Sequence, residues 1–270
     1  MSFLTEIKIF FQTITDWILL MVIFTIFFFS FNLEKVSVFG KLPLLPAPGQ
    51  PSFAADFFNM LVADLVPAGI PLIVTSPMAA FVVQIKLALL MAVFFTFPVF
   101  LYRLITYLAP ALYKREQTLI YRLILPLTLL FFAGVTFAYV AIVPSTLHIL
   151  YGFVAPLGAV PMLGMTEFVG IVMALLLTSG LAFTLPVFMV LLTAMGAVRS
   201  VFWLENSRYA LVGFLIVSAI ITPDGSGVSM LLLSAPVSLL YGAGVLVCSR
   251  VEQAGKKQNN ITNLLSNNNK

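Results

Sequence analysis

The sequence predicts an all-α, polytopic membrane protein with six transmembrane helices and both termini in the cytoplasm, and three observations predict it. Of its 270 residues, 61% are hydrophobic and 9% charged, whereas a soluble chain is about 25% charged. Charge is missing from long stretches: none falls in the 31 residues between Glu167 and Arg199 or the 25 between Asp224 and Arg250. A run of about 18 apolar residues already crosses the hydrocarbon core as a helix. Finally, eleven of the fourteen lysines and arginines fall in segments that six spans place on one side.

The first span is expected over residues 13–33, with no basic region before it and no small-residue cleavage site, so it reads as an anchor and not a cleaved leader. A long outer loop follows, holding Pro43, Pro46, Pro48 and Pro51, then a short helix over 52–66. Ser52 suits its N-cap and Asp56 its first turn. Phe53, Phe57, Met60 and Leu61 form its apolar face, opposite Asp56 and Asn59. The second span covers 80–107, the third 122–142 and the fourth 168–194. The fifth, over 209–222, is short: the 15 residues between Arg208 and Asp224 rise only about 23 Å, against about 30 Å of hydrocarbon. The sixth covers 228–247. Residues 1–250 thus form the membrane domain, and the asparagine-rich stretch 251–270 reads as a disordered cytoplasmic tail.

Basic residues fix the orientation. Lys8, the second-to-third loop (Arg103, Lys114, Arg115, Arg122), the fourth-to-fifth loop (Arg199, Arg208) and the tail (Arg250, Lys256, Lys257, Lys270) lie on one side, against Lys35, Lys41 and Lys86 elsewhere. Cytoplasmic loops carry such an excess. The net charge of +4 is what those loops require and does not point to nucleic acid.

Enzyme signatures are missing. The sequence has no Gly-rich Lys-Ser/Thr phosphate loop and no HExxH, and it has one histidine, His148. The single cysteine, Cys248, forms no intramolecular disulfide or thiolate cluster and reads as a small lipid-facing residue. No metal, cofactor or catalysis is expected. Two intramembrane polar residues remain. Lys86, near the outer end of the second span, is explained by snorkelling. Asp224 caps the sixth helix or lines a cavity, since an acid at depth is costly and usually functional. Gly134, Gly180, Gly242 and Gly244 permit close helix contact, and Pro98, Pro126, Pro186 and Pro236 are expected to kink their helices.

The loop Ala109-Pro110-Ala111-Leu112-Tyr113-Lys114-Arg115-Glu116 places one carboxylate among Arg103, Lys114, Arg115 and Arg122. It neutralises Arg103 or caps the third helix, or else it accepts a guanidinium from a partner, a bidentate and charge-assisted geometry. With Phe132-Ala-Gly134-Val-Thr-Phe137-Ala-Tyr139, Pro144, Ser179-Gly180-Leu-Ala-Phe183-Thr184-Leu-Pro186, Thr222-Pro223-Asp224 and the amino-terminal Leu4-Thr-Glu6-Ile-Lys8, this loop resembles the TatC family. That family is the core subunit of the twin-arginine protein translocase, and the likeness runs from about residue 3 to Arg250.

The resemblance implies binding of twin-arginine signal peptides at the cytoplasmic face. It also implies assembly in several copies with small single-span partners of the TatA and TatB kind, and export of folded proteins across the inner (plasma) membrane on the proton gradient. Carried over by position, Glu6 and Glu116 accept the two guanidinium groups, with Leu4, Lys8, Tyr107, Pro110 and Leu112 in the same patch. Thr184, Ser218 and Thr222 would meet the partner's transmembrane helix. The sequence departs from the family at Phe3 (usually histidine), Lys8 and Phe10 (arginines), Thr184 (often an acid or glutamine) and Gly242 (commonly glutamate). The alternative from another class, a secondary solute transporter, calls for an inverted repeat with broken helices at matching positions; no such symmetry is present in the sequence.

Overall fold

Apolar backbone in lipid has to satisfy its own hydrogen bonds, and helices dominate the chain accordingly. In chain order the elements are α1 (Phe3–Ser30), β1 (Phe31–Glu34), β2 (Leu45–Pro48), α2 (Phe53–Leu65), β3 (Leu72–Ile73), α3 (Ala79–Leu108) and α4 (Ile124–Phe137). A π-helical segment (Ala138–Ile142) leads into α5 (Val143–Gly152), followed by β4 (Leu163–Gly164), α6 (Met165–Ala194), α7 (Ser200–Glu205), α8 (Ser207–Ile221) and α9 (Gly227–Asn267). The computed structural model describes residues 3–34, 45–48, 51–67, 70–108, 123–154, 156, 162–222 and 227–267, with side chains for all of these except 3–10, 32–34, 45–48, 108 and 254–267.

Among the described residues five helical stretches are long and apolar enough to cross a membrane: Phe11–Ser30, Ala79–Tyr107, Ile124–Gly152, Met165–Ala194 and Gly227–Gln253. The expected fifth span is the shorter apolar helix Ser207–Ile221. Three boundaries differ from the sequence reading. α1 starts ten residues before the expected apolar run, so Leu4, Glu6 and Lys8 stand in its first two turns. The third span continues past Ile142 to Gly152, because the π turn just before Pro144 loosens the ladder where a proline has no N–H to give. α9 runs on to Asn267 through a stretch whose composition suggested no regular structure; adding residues to an existing helix is cheap compared with starting one.

The chain divides into two compact units, Met1–Tyr107 with Tyr139–Leu176, and Leu108–Ala138 with Leu177–Lys270. In the first unit α3 buries one stripe, Val83, Leu87, Leu90, Phe97, Leu101 and Ile105, at helical spacing. α1 lies on α3 through large rings: Trp17 on Phe100 at 4.5 Å and Phe28 on Phe95 at 5.1 Å between centroids. α2 packs inside the same unit, with Phe53 against Phe27 and Phe28 and Phe58 edge-on to Phe168. Its buried residues are Ala54, Leu61 and Leu65, while Met60 is exposed, so the buried ridge is rotated from the expected Phe53-Phe57-Met60-Leu61 face. Ser52 occupies the N-cap position but its hydroxyl makes no capping bond. The Tyr139 hydroxyl in the π segment donates to Asp64 of α2. Tyr139→Phe is expected to lower stability by about 1 kcal/mol, measured as a lower unfolding midpoint of the purified protein in detergent.

Two short strand pairs also belong to this unit. β1 and β2 are antiparallel with Phe31 opposite Pro48 and Glu34 opposite Leu45; β3 and β4 are parallel with Leu72 opposite Leu163. The sequence predicts only a proline-bearing loop over the β1–β2 stretch. Pro46 and Pro48 are two residues apart, so both missing N–H groups fall on one edge of β2, which a two-stranded ribbon tolerates. At the start of α6, the Glu167 carboxylate folds back against Gly164 and fills the place an added Cβ would take. A third-position glutamate reaching toward its own N-cap is half of a capping box.

In the second unit α4 and the later part of α6 meet backbone to backbone. A Cβ on Gly134 would stand 2.6 Å from the Ser179 carbonyl oxygen, and one on Gly180 would stand 2.7 Å from the Phe131 ring. Ser179 Oγ donates to the Gly134 carbonyl at 2.9 Å, fully buried. Gly244 approaches Pro186 in the same way, but a Cβ on Gly242 meets nothing within 4 Å, so that glycine is not a contact residue as expected. A core of Met189, Tyr241 and Cys248 packs with Trp203 and Phe214. Cys248 is therefore buried and does not face lipid, because α7 and α8 fold over that side of α9. Pro98, Pro186 and Pro236 lie inside helices that continue on both sides. Pro126 falls in the first turn of α4, where a helix N–H has no intrahelical acceptor to lose.

Candidate functional site

The predicted cytoplasmic residues are reached from two elements. α1 carries Leu4, Glu6 and Lys8 on helical backbone; their side chains lie outside the described residues. α3 carries Tyr107, half-buried, as its next-to-last residue. Pro110, Leu112 and Glu116 lie outside the described residues, as does Asp224. What the structure brings together is the scaffold for the first two groups. Asp16 of α1 accepts an ion-paired hydrogen bond from Arg103 of α3 at 2.5 Å. One residue on, the Trp17 indole donates to Thr96 Oγ1 at 3.2 Å. Thr96 is fully buried and spends its own proton on the Ala92 carbonyl at 2.8 Å, which leaves its oxygen free to accept.

Neither Asp16 nor Trp17 was singled out from the sequence, and Arg103 was expected as a loop cation that Glu116 could neutralise; in the structure its partner is Asp16. The signal was present. Asp16 is the lone acid in the apolar run of α1, and an acid among apolar residues within a span needs a partner. The facing helix supplies a single cation near its C-terminal end, Arg103.

Thr184 and Thr222 are buried and locally satisfied. Thr184 is 3% exposed and donates to the Leu181 carbonyl at 2.6 Å, the bond to the preceding turn that a helical threonine makes. Thr222, the C-cap residue of α8, donates from Oγ1 to the Ser218 carbonyl at 2.8 Å, and both residues are buried. The open face of α8 is instead Ile216, Val217 and Ile220. Lys86 is half-buried in the second turn of α3, with its ammonium 4.0 Å from the place of a Cβ on Gly170. Among the described residues no acid pairs with it, and no cluster of His, Cys, Asp or Glu has the makings of a metal site.

A further contact ties α7 to α9. The backbone N–H of Ser200, at the first position of α7, donates to Glu252 Oε2 at 2.8 Å. A carboxylate at a helix start satisfies an otherwise orphaned donor and complements the helix dipole. The sequence had placed Glu252 in the unstructured tail.

A family model for the Sec-independent protein translocase protein TatC matches residues 4–236. The chain is 37% identical over 233 residues to the Sec-independent protein translocase protein TatC of Cenarchaeum symbiosum, covering 86% of this chain and 88% of that one. It is 33% identical over 199 residues to the protein of the same name from Escherichia coli strain K12, covering 72% and 75%. Its fold matches the crystal structure of a twin arginine translocase receptor, TatC, with a TM-score of 0.73 at 25% identity, over 91% of this chain and 99% of that one.

Proposed function

Because this chain belongs to the TatC family of Sec-independent protein translocase proteins, we propose that its cytoplasmic face recognises paired arginines in the signal peptides of exported proteins. The observation that carries this reading is the extent of the family match: it begins at residue 4 and takes in both acidic segments, Leu4-Thr-Glu6 and Ala109 through Glu116. Two carboxylates from separate cytoplasmic segments are what two adjacent guanidiniums need. Each presents two oxygens to the planar donor fork of one arginine. Leu4, Lys8, Tyr107, Pro110 and Leu112 complete the patch.

The topology in this reading has six spans and both termini in the cytoplasm, with residues 251–270 as the cytoplasmic tail beyond a membrane domain of residues 1–250. The eleven basic residues on one side support it, and α8 acts as the short fifth span. The membrane is the cell inner (plasma) membrane. Single-span partner subunits and further copies of this chain assemble around it to move folded cargo on the proton gradient. Thr184, Ser218 and Thr222 mark where a partner helix seats, with Ile216, Val217 and Ile220 as the exposed surface beside them. No catalytic step is involved.

The test is a binding measurement on the full chain in lipid nanodiscs. A synthetic signal peptide with adjacent arginines is expected to bind at least about tenfold more tightly than the same peptide with two lysines, since an ammonium cannot make the bidentate fork. Equal affinities would remove the proposal.

A further inference from the structure

We propose that Asp16 and Arg103 are positioning residues of the signal-peptide site, a cross-helix tether that sets where the amino-terminal turn of α1 stands relative to the end of α3. The proposal rests on the cargo-site reading above for its functional meaning, and on geometry for its existence.

The tether has two parts on consecutive residues of α1. Asp16 holds Arg103 at 2.5 Å, and Trp17 holds Thr96 at 3.2 Å while its ring lies 4.5 Å from that of Phe100. Around them α1 is open: Phe11 is 63% exposed, and Ile18, Leu19, Val22 and Ile23 are exposed as well. Toward its amino terminus α1 continues as unbroken helix to Phe3. Glu6 is therefore ten residues past the tether, about 15 Å along the axis. A tilt of about 10° at Asp16 moves residue 6 by about 2.6 Å, far more than the spread of distances a hydrogen bond accepts. On the other helix Arg103 is one turn from Tyr107, so the two belong to the same face of α3. The pair thus fixes the turn of α1 that carries Glu6 to the turn of α3 that carries Tyr107 through one contact.

Its placement also takes one positive charge out of the local field. A bare guanidinium one turn from Tyr107 would repel the very groups the site is proposed to bind. With its fork directed at Asp16, Arg103 brings a neutral pair to that place.

The experiment reads position and binding separately in the full chain. Spin labels on Thr5→Cys and Thr106→Cys report the distance between the start of α1 and the end of α3; the native Cys248 is buried. Asp16→Asn is expected to broaden that distance distribution and to weaken binding of the paired-arginine peptide about fivefold. The reversed pair, Asp16→Arg with Arg103→Asp, is expected to restore both. The double change Asp16→Asn with Arg103→Gln is expected to stay broad and weak. An unchanged distance distribution in Asp16→Asn overturns the proposal. So does a reversed pair as weak as the single change, or a double change that binds normally, since the last would reduce the pair to charge cancellation. If the original chain binds paired arginines and paired lysines equally, the cargo-site reading fails, while the distance measurements still decide whether the tether exists.

Discussion

Export of a reporter with adjacent arginines in its leader is expected to stop when Glu116 is replaced by alanine, while the amount of this protein in the membrane stays unchanged. Removing one partner of a hydrogen-bonded charge pair typically costs about 2–5 kcal/mol, or roughly a thirtyfold to several-thousandfold loss of affinity. In the proposed role the Glu116 carboxylate adds nothing to the apolar burial that holds the spans, so the expected effect is confined to binding. Glu6→Ala is expected to act in the same direction on the second guanidinium. The measurement is the fraction of reporter reaching the far side of the membrane, set against the level of the variant in that membrane. Normal export with both Glu116 and Glu6 replaced would refute the assignment.

The second large effect is structural. Gly134→Ala is expected to lower the stability of the purified protein by about 3 kcal/mol, a fall in midpoint of roughly 6–12 °C for a chain of this size. The new methyl carbon would stand 2.6 Å from the Ser179 carbonyl and 2.8 Å from Phe183 Cβ. The first of these is backbone, so α4 and α6 have to separate. Separation also breaks the buried bond from Ser179 to the Gly134 carbonyl, a class of interaction worth about 0.6 kcal/mol within membranes. Gly180→Ala is milder, since the atoms it meets belong to the Phe131 and Val135 side chains, which can rotate. Gly242→Ala, with nothing within 4 Å, serves as the neutral control. Thermal unfolding of the three variants side by side checks the ranking.

What the sequence made legible was whatever charge and hydropathy control over a whole helix. Long apolar runs announced the helices, and the starts of α3 and α6 lie within three residues of expectation. Finer features depend on pairings that a linear reading does not display. The β1–β2 ribbon was hidden because Pro46 and Pro48 forbid a strand in general but not on one edge of a two-stranded pair. The extension of α9 was hidden because polar composition argues for disorder while a helix already nucleated resists it. The six-residue α7 gave no periodic signal; its start is held by a carboxylate 52 positions away. For the proposed site, residue types point to Glu6 and Tyr107, but the tie between their helices needed the facing side chain. Asp16 was informative in the sequence only to a reader asking what neutralises it.

The π turn at Ala138–Ile142 has a consequence for anyone mapping this span by substitution. Leading up to it, buried residues recur as Leu127, Phe131, Gly134 and Ala138; after it they are Ile142, Val143, Thr146 and Leu147. Continuing the first rhythm would give 141, 145 and 148, so the register has slipped by one residue. A helical wheel drawn through residues 124–152 as one cylinder would misplace the buried residues of its last third by one position. Deleting one residue inside 138–142 should rewind the turn and swing Thr146 and Leu147 outward by about 100°, turning a silent shortening into a disruptive one.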